Sequence, residues 1–180
     1  ILLDDLFAEA ISKAEAIMEE KNASLPNRHE TAVAVGTGAV IFNALSGSRI
    51  KDTNFTWENA LSFDGNTGPY VQYTYARASS VLRRAACPDA DAAAGYVPAP
   101  DETALIKTLL RFPARVDAAL CEYEPSIISR YVLDVCAAYN VFYHNCPILR
   151  SSGAEQAFRL RLTAAARQII GKSLDLLTIR

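Results

Sequence analysis

Apolar residues return at three- and four-residue steps through most of the chain, and that spacing is what most limits its fold. Between Leu3 and about Lys21, Leu6, Phe7, Ala10, Ile11, Ala14, Ile17 and Met18 recur in this way, with acids between them. Residues so spaced gather on one face of an α-helix, whereas a strand would scatter them over two faces. Asp4 stands where an N-cap is expected. After Ser24-Leu25-Pro26, the run Asn27-Arg28-His29-Glu30 has the spacing of a capping box and predicts a second helix over 28–45. Gly36 and Gly38 fall inside it, where each costs about 1 kcal/mol relative to alanine. Their presence predicts that another helix packs closely there.

Residues 46–68 are less regular, with a short amphipathic turn around 57–61 and a dense turn cluster, Asp64-Gly65-Asn66-Thr67-Gly68-Pro69. Pro69 suits the first position of a third helix over 69–86, capped by Thr67 or Gly68. A Pro/Ala-rich connection over 87–100 follows, after which Asp101 is expected to cap a helix to 111. Pro113 then opens a helix to about 123, and Pro125 a long one to about 145. That long helix carries Ile127, Ile128, Tyr131, Val132, Val135, Tyr139 and Phe142 on its apolar side, and a final helix spans 155–177. Strand-like alternation is nowhere sustained, so the expected fold is all-α, an antiparallel helical bundle.

Composition sets the class. Hydrophobic residues make up 51% of the 180, enough for a sizeable core, which excludes disordered and collagen-like chains. No apolar run approaches the roughly 20 residues of a membrane span, so a soluble, cytoplasmic protein with no membrane partner is expected. The opening Ile1-Leu2-Leu3-Asp4-Asp5 has no signal-like pattern and suggests a piece of something longer. Cys87, Cys121, Cys136 and Cys146 form no C-x-x-C pair and are expected as buried or semi-buried thiols of a reducing compartment, with no metal site. The sequons at Asn22 and Asn54 are set aside as chance matches in a cytosolic protein.

Net charge is −2, which alone argues against nucleic acid, but its distribution is uneven. Residues 1–66 carry −5 and residues 67–180 carry +3, with 11 of the latter's 13 cations being Arg. The planar guanidinium fork suits phosphates and base edges, so an RNA partner for the second part is allowed, though a solvated basic face explains the same numbers.

On the third helix Tyr70, Tyr73, Arg77 and Arg84 share a face, while Val71, Tyr75, Ala78 and Leu82 line a neighbouring face directed to the core. Tyrosines followed by arginines are what base stacking with phosphate pairing needs, yet they also describe an ordinary bundle edge. Tyr143 and His144 lie at a helix end beside Asn145 and Pro147, where side chains project, and Tyr139 one turn earlier is expected in the core. No catalytic set emerges. Asp5/Glu9 and Glu15/Glu19 are spaced as solvated helix faces, and Val-Gly-Thr-Gly-Ala at 35–39 follows no strand that would make it a phosphate loop.

Leu61-Ser62-Phe63-Asp64-Gly65-Asn66-Thr67-Gly68-Pro69-Tyr70-Val71-Gln72-Tyr73, continuing to Ala76-Arg77, closely resembles a signature of arginyl-tRNA synthetases. Leu3-Asp4-Asp5-Leu6, Val35 to Val40, Phe55-Thr56-Trp57, Phe112-Pro113 and Glu124-Pro125 resemble the same family in the same order. So do Tyr139-Asn140-x-Phe142-Tyr143, Cys146-Pro147-Ile148-Leu149 and the closing Arg159 to Ile179 region.

The resemblance implies a class I synthetase that uses ATP, with Mg, to activate arginine and then transfers it to the 3′ end of tRNA. This chain lacks that family's ATP-holding signatures, so no catalytic residue and no cofactor are assigned to it. What it implies here is the C-terminal part, with 1–68 buttressing the catalytic half and 69–180 forming an anticodon-binding bundle. The partners implied are arginine tRNA, through its anticodon arm, and the missing catalytic domain. By resemblance Tyr70 or Tyr73, with Arg77, meets the anticodon loop and Tyr143 helps from the facing helix. With Arg84 and His144 these make the candidate RNA-binding set. The alternatives are the anticodon domain of another synthetase, such as the cysteinyl or glycyl β-chain type, and a helical protein-interaction module without RNA.

Overall fold

The computed structural model describes residues 2–21, 24, 26–52, 55–85, 93 and 95–179, and every regular element among them of four residues or more is an α-helix. The helices are α1 (Leu3–Lys21), α2 (Arg28–Ser46), α3 (Trp57–Ala60), α4 (Gly68–Arg84), α5 (Pro100–Leu109), α6 (Phe112–Glu122), α7 (Ser126–Asn145) and α8 (Gly153–Leu176). The fold is therefore all-helical, as the periodicity predicts. Cys87, the sequon residues Asn22 and Asn54, and most of the 87–100 connection lie outside the described residues.

Several helix starts differ from expectation for local reasons. α1 begins one residue before Asp4, because Leu6 N–H already bonds Leu2 C=O at 3.2 Å. Asp4 thus sits inside the first turn, where its charge favours the helix dipole without capping. Asn27 does precede α2, but at φ 56° and without a side-chain cap, so the capping box is not formed. Arg28 and His29 instead face Glu15 and Glu19 of α1, at 3.6–3.9 Å. At α5 the cap position falls on Ala99, because Pro100 already occupies the first turn. Asp101 is therefore not the cap, and the Glu102 carboxylate reaches back to accept from Ala99 N–H at 2.7 Å.

α4 starts one residue earlier than predicted, at Gly68 with Pro69 second, but Thr67 caps it as expected. Thr67 Oγ1 accepts from Tyr70 N–H at 3.1 Å and donates to Ser62 C=O at 2.6 Å, which ties the turn cluster to the helix it launches. Gly36 and Gly38 also do what their position implies. A Cβ on Gly36 would stand 2.7 Å from the Ile11 backbone nitrogen, and one on Gly38 2.8 Å from the Gln72 side chain. α2 is thereby pressed between α1 and α4.

Two apolar clusters result. The smaller joins Ala14 of α1 to Ala32, Val35 and Ala39 of α2 and to Leu61. The larger is built from α4, α5, α7 and α8, with Val71, Leu105, Val132, Tyr139, Phe142 and Ile170 sealed inside, and Phe42 of α2 enters it. Tyr75 departs from expectation: its ring lies against Gly171 of α8, 3.0 Å from where a Cβ would be, and stays 36% exposed at the α4–α8 seam. Cys136 and Cys146 are buried free thiols, whereas Cys121 is exposed on α6. No described helix is long and apolar enough to cross a membrane.

Candidate nucleic-acid interface

α4 and α7 pack side by side in the larger cluster, and the predicted aromatic and cationic residues meet along their shared edge. Thr67 fixes the first turn of α4 and so the direction of Tyr70. Tyr73 and Arg77 follow at one-turn steps along the same face. From α7, Asn140 and Tyr143 project toward them, one turn apart on a helix anchored by the buried rings of Tyr139 and Phe142.

The centre of the cluster is Arg77. Its guanidinium carbon lies 4.8 Å from the centroid of the Tyr73 ring and 5.1 Å from that of Tyr143. Contacts of this kind contribute about 0.5–1 kcal/mol each at exposed sites. Nη1 of Arg77 donates to Asn140 Oδ1 at 2.5 Å. Asn140 Nδ2 donates to the Tyr70 hydroxyl at 2.9 Å and, more weakly, to Thr74 Oγ1 at 3.5 Å. Thr74 in turn donates to the Tyr70 carbonyl at 2.9 Å.

The cluster is joined by hydrogen bonds and ring contacts but left open. Tyr73 is 50% and Tyr143 41% exposed, while Tyr70 and Arg77 are half-buried. Beneath them Tyr139 is fully buried, 6.2 Å from Tyr143 between centroids, and burial pushes its hydroxyl above the ordinary phenol range. Among the described residues no carboxylate lies within ion-pairing distance of Arg77, so its charge is available to an anion. Two π-faces flanking an uncompensated guanidinium can receive an unstacked base and a phosphate together. On the other side of Tyr73 an apolar cavity of about 510 Å³ opens between α1, α2, α4 and α8, walled by Met18, Phe63, Tyr75 and Leu174.

The structure thus brings together Tyr70, Tyr73, Arg77 and Tyr143. It leaves Arg84 apart, exposed at the end of α4, seven residues or about 10 Å of helix rise beyond Arg77. His144 is exposed in the last turn of α7, rotated by one residue from Tyr143. Asn140 stands in the Tyr139–Tyr143 run that resembles the family but is absent from the candidate set drawn from the sequence, although it is the one amide side chain from Val135 to Tyr143.

Comparison with known proteins bears on the same region. Residues 71–180 match the family model described as the DALR anticodon binding domain. The chain is 41% identical, over all its length, to the arginine–tRNA ligase of Alkaliphilus metalliredigens, and 42% identical over 99% to that of Clostridium beijerinckii. It spans about a third, 32%, of each of those proteins. The arginyl-tRNA synthetase structure from Thermus thermophilus superposes with a TM-score of 0.94 at 35% identity, covering 99% of this chain and 31% of that one. The Plasmodium falciparum arginyl-tRNA synthetase structure shares the fold, with a TM-score of 0.89 at 21% identity, covering 100% of this chain and 33% of that one.

Proposed function

The chain belongs to the DALR anticodon binding domain family, and from that premise we propose that it grips the anticodon arm of arginine tRNA as the C-terminal part of an arginine–tRNA ligase. The observation that carries the proposal is the Arg77 guanidinium held between the half-exposed rings of Tyr73 and Tyr143. Anticodon bases are unstacked and offer π-faces, and the loop phosphates offer charge. A stacked tyrosine contributes about 1–3 kcal/mol per base. In this reading Tyr70 touches a base edge through its hydroxyl, Arg84 meets a phosphate further along the arm, and His144 flanks the loop beside Tyr143.

The rest of the ligase follows from the same proposal. ATP-dependent activation of arginine and its transfer to tRNA belong to a catalytic domain on the same polypeptide, against which residues 1–68 rest. The exposed Leu2 and Leu3 at the start of α1 suit such a neighbour, and the separate α1–α2 cluster supports a division near Gly68. Phe42 reaches across that division into the larger core. Titrating the chain into an arginine-tRNA anticodon stem-loop at two salt concentrations tests the function. Saturable binding that weakens with salt is expected, and its absence contradicts the proposal. Arginine- and ATP-dependent charging by this chain alone would contradict the placement of catalysis elsewhere.

A further inference from the structure

Asn140 sits between the two groups that face the open site, and its hydrogen bonds have only one consistent direction. A guanidinium carries N–H donors and no acceptor, so the amide group that meets Arg77 Nη1 must be the Asn140 oxygen, at 2.5 Å. The amide nitrogen is then forced toward Tyr70, whose hydroxyl oxygen accepts from it at 2.9 Å. Thr74 closes the circuit, since its own proton goes to the Tyr70 carbonyl at 2.9 Å. A phenol has a single proton. With its oxygen accepting from Asn140, and with no acceptor for that proton among the described residues, the Tyr70 O–H is left to point outward.

We infer that Asn140 is a positioning residue that makes the Arg77–Tyr70 pair a donor edge within this site, selecting an unpaired nucleobase whose edge offers hydrogen-bond acceptors. The inference rests on the anticodon reading and deepens it. Arg77, with Nη1 engaged by Asn140, presents its remaining N–H groups, and Tyr70 presents its single O–H. A base edge carrying acceptors satisfies both, whereas one carrying donors at the same places sets the Arg77 N–H and Tyr70 O–H groups against other donors. Discrimination of this kind does not need a charge change or a new stack, so it separates from overall affinity.

The test uses Asn140→Asp and Tyr70→Phe, singly and together, in the 180-residue chain. A carboxylate accepts from both neighbours, so Asn140→Asp keeps Arg77 held but turns the Tyr70 proton inward. Far-UV circular dichroism and thermal melts check that each variant folds. Binding is measured to the arginine-tRNA anticodon stem-loop and to loops with the central base changed, at two salt concentrations. The readout is the ratio of affinities between loops, which a general loss of packing or an added negative charge would not selectively erase. Asn140→Asp and Tyr70→Phe are each expected to reduce that ratio on the order of tenfold, the worth of one hydrogen bond. The double variant is expected to lose no more than either single one. A ratio in Asn140→Asp equal to wild type overturns the inference, as do losses that multiply in the double variant. Wild type that binds RNA without discriminating bases overturns it while leaving the RNA role standing. Wild type that binds no RNA removes the proposed function and this inference with it.

Discussion

Arg159 Nε donates to Glu102 Oε1 across 2.6 Å at the junction of α8 and α5, with the two side chains 8% and 0% exposed. Each partner is further satisfied: Glu102 accepts from Ala99 N–H and Tyr96 Oη, and Arg159 reaches Glu155 at 2.6 Å and Pro147 C=O at 3.3 Å. A buried pair so completely bonded stabilises the native arrangement mainly because breaking it leaves a stranded charge. Arg159→Met is therefore expected to lower stability by about 3–5 kcal/mol. Urea unfolding should show this as an earlier midpoint with an unchanged slope, and should show a smaller loss when Glu102→Met is added. A single variant as stable as wild type would refute the account of the junction.

The α1–α2 contact predicts a second stability effect. In Gly36→Ala the new methyl group would meet α1 backbone at 2.7–2.8 Å, where nothing flexible can yield. Overpacking of this sort costs about 1–3 kcal/mol. For a chain of this size that corresponds to a fall in Tm of roughly 2–4 °C per kcal/mol. Calorimetry checks it directly, and Ala at the exposed position Glu30 of the same helix serves as the control.

Tyr131 gives the fold an alkaline limit. Its hydroxyl donates to the carbonyls of Thr108 and Leu109 at 3.1 and 3.3 Å, and burial pushes its pKa from 10.0 up to about 12. Because the folded state holds the proton more tightly than the unfolded chain, the stability involved is fully present below pH 10. It is lost as pH rises from there through about 12. Tyr131→Phe loses a hydrogen bond at neutral pH, about 1 kcal/mol, but has no proton to lose. Urea midpoints of the two proteins should therefore converge as pH climbs above 10, and a constant gap would contradict the assignment.

Arg84 lies outside the aromatic cluster, so its contribution to RNA binding should be charge alone. Arg84→Gln is expected to weaken binding equally for all loop sequences and to reduce the slope of log affinity against log salt by about 0.7. A change in base preference instead would place Arg84 on a base.

How much of this was legible in advance varied with the physics involved. Helices with strong 3.6-residue patterns, such as α7 and α8, and the Thr67 cap were plain because each rests on local chemistry. Asp4, Asp101 and the Asn27 box do not cap because other forces decide those starts: an extra backbone bond at Leu2, Pro100 in the first turn, and the ion pair of Arg28 and contact of His29 with Glu15 of α1. The phase of Tyr75 on α4 points to the core, but its ring rests against Gly171, a feature of another helix. The candidate site was half legible. Tyr70, Tyr73 and Arg77 share a face of one helix, but the meeting of Arg77 with Tyr143 and Asn140 spans 63 or more residues of sequence and depends on how α4 and α7 pack.

The most direct test of the central claim is the affinity of the chain for the arginine-tRNA anticodon stem-loop beside one with a changed central base, for wild type, Tyr73→Ala and Arg77→Ala. The account predicts salt-sensitive binding that prefers the arginine loop, with Tyr73→Ala weakening it by about 1–3 kcal/mol and Arg77→Ala weakening both binding and preference. Binding that ignores the base and survives both substitutions would contradict it.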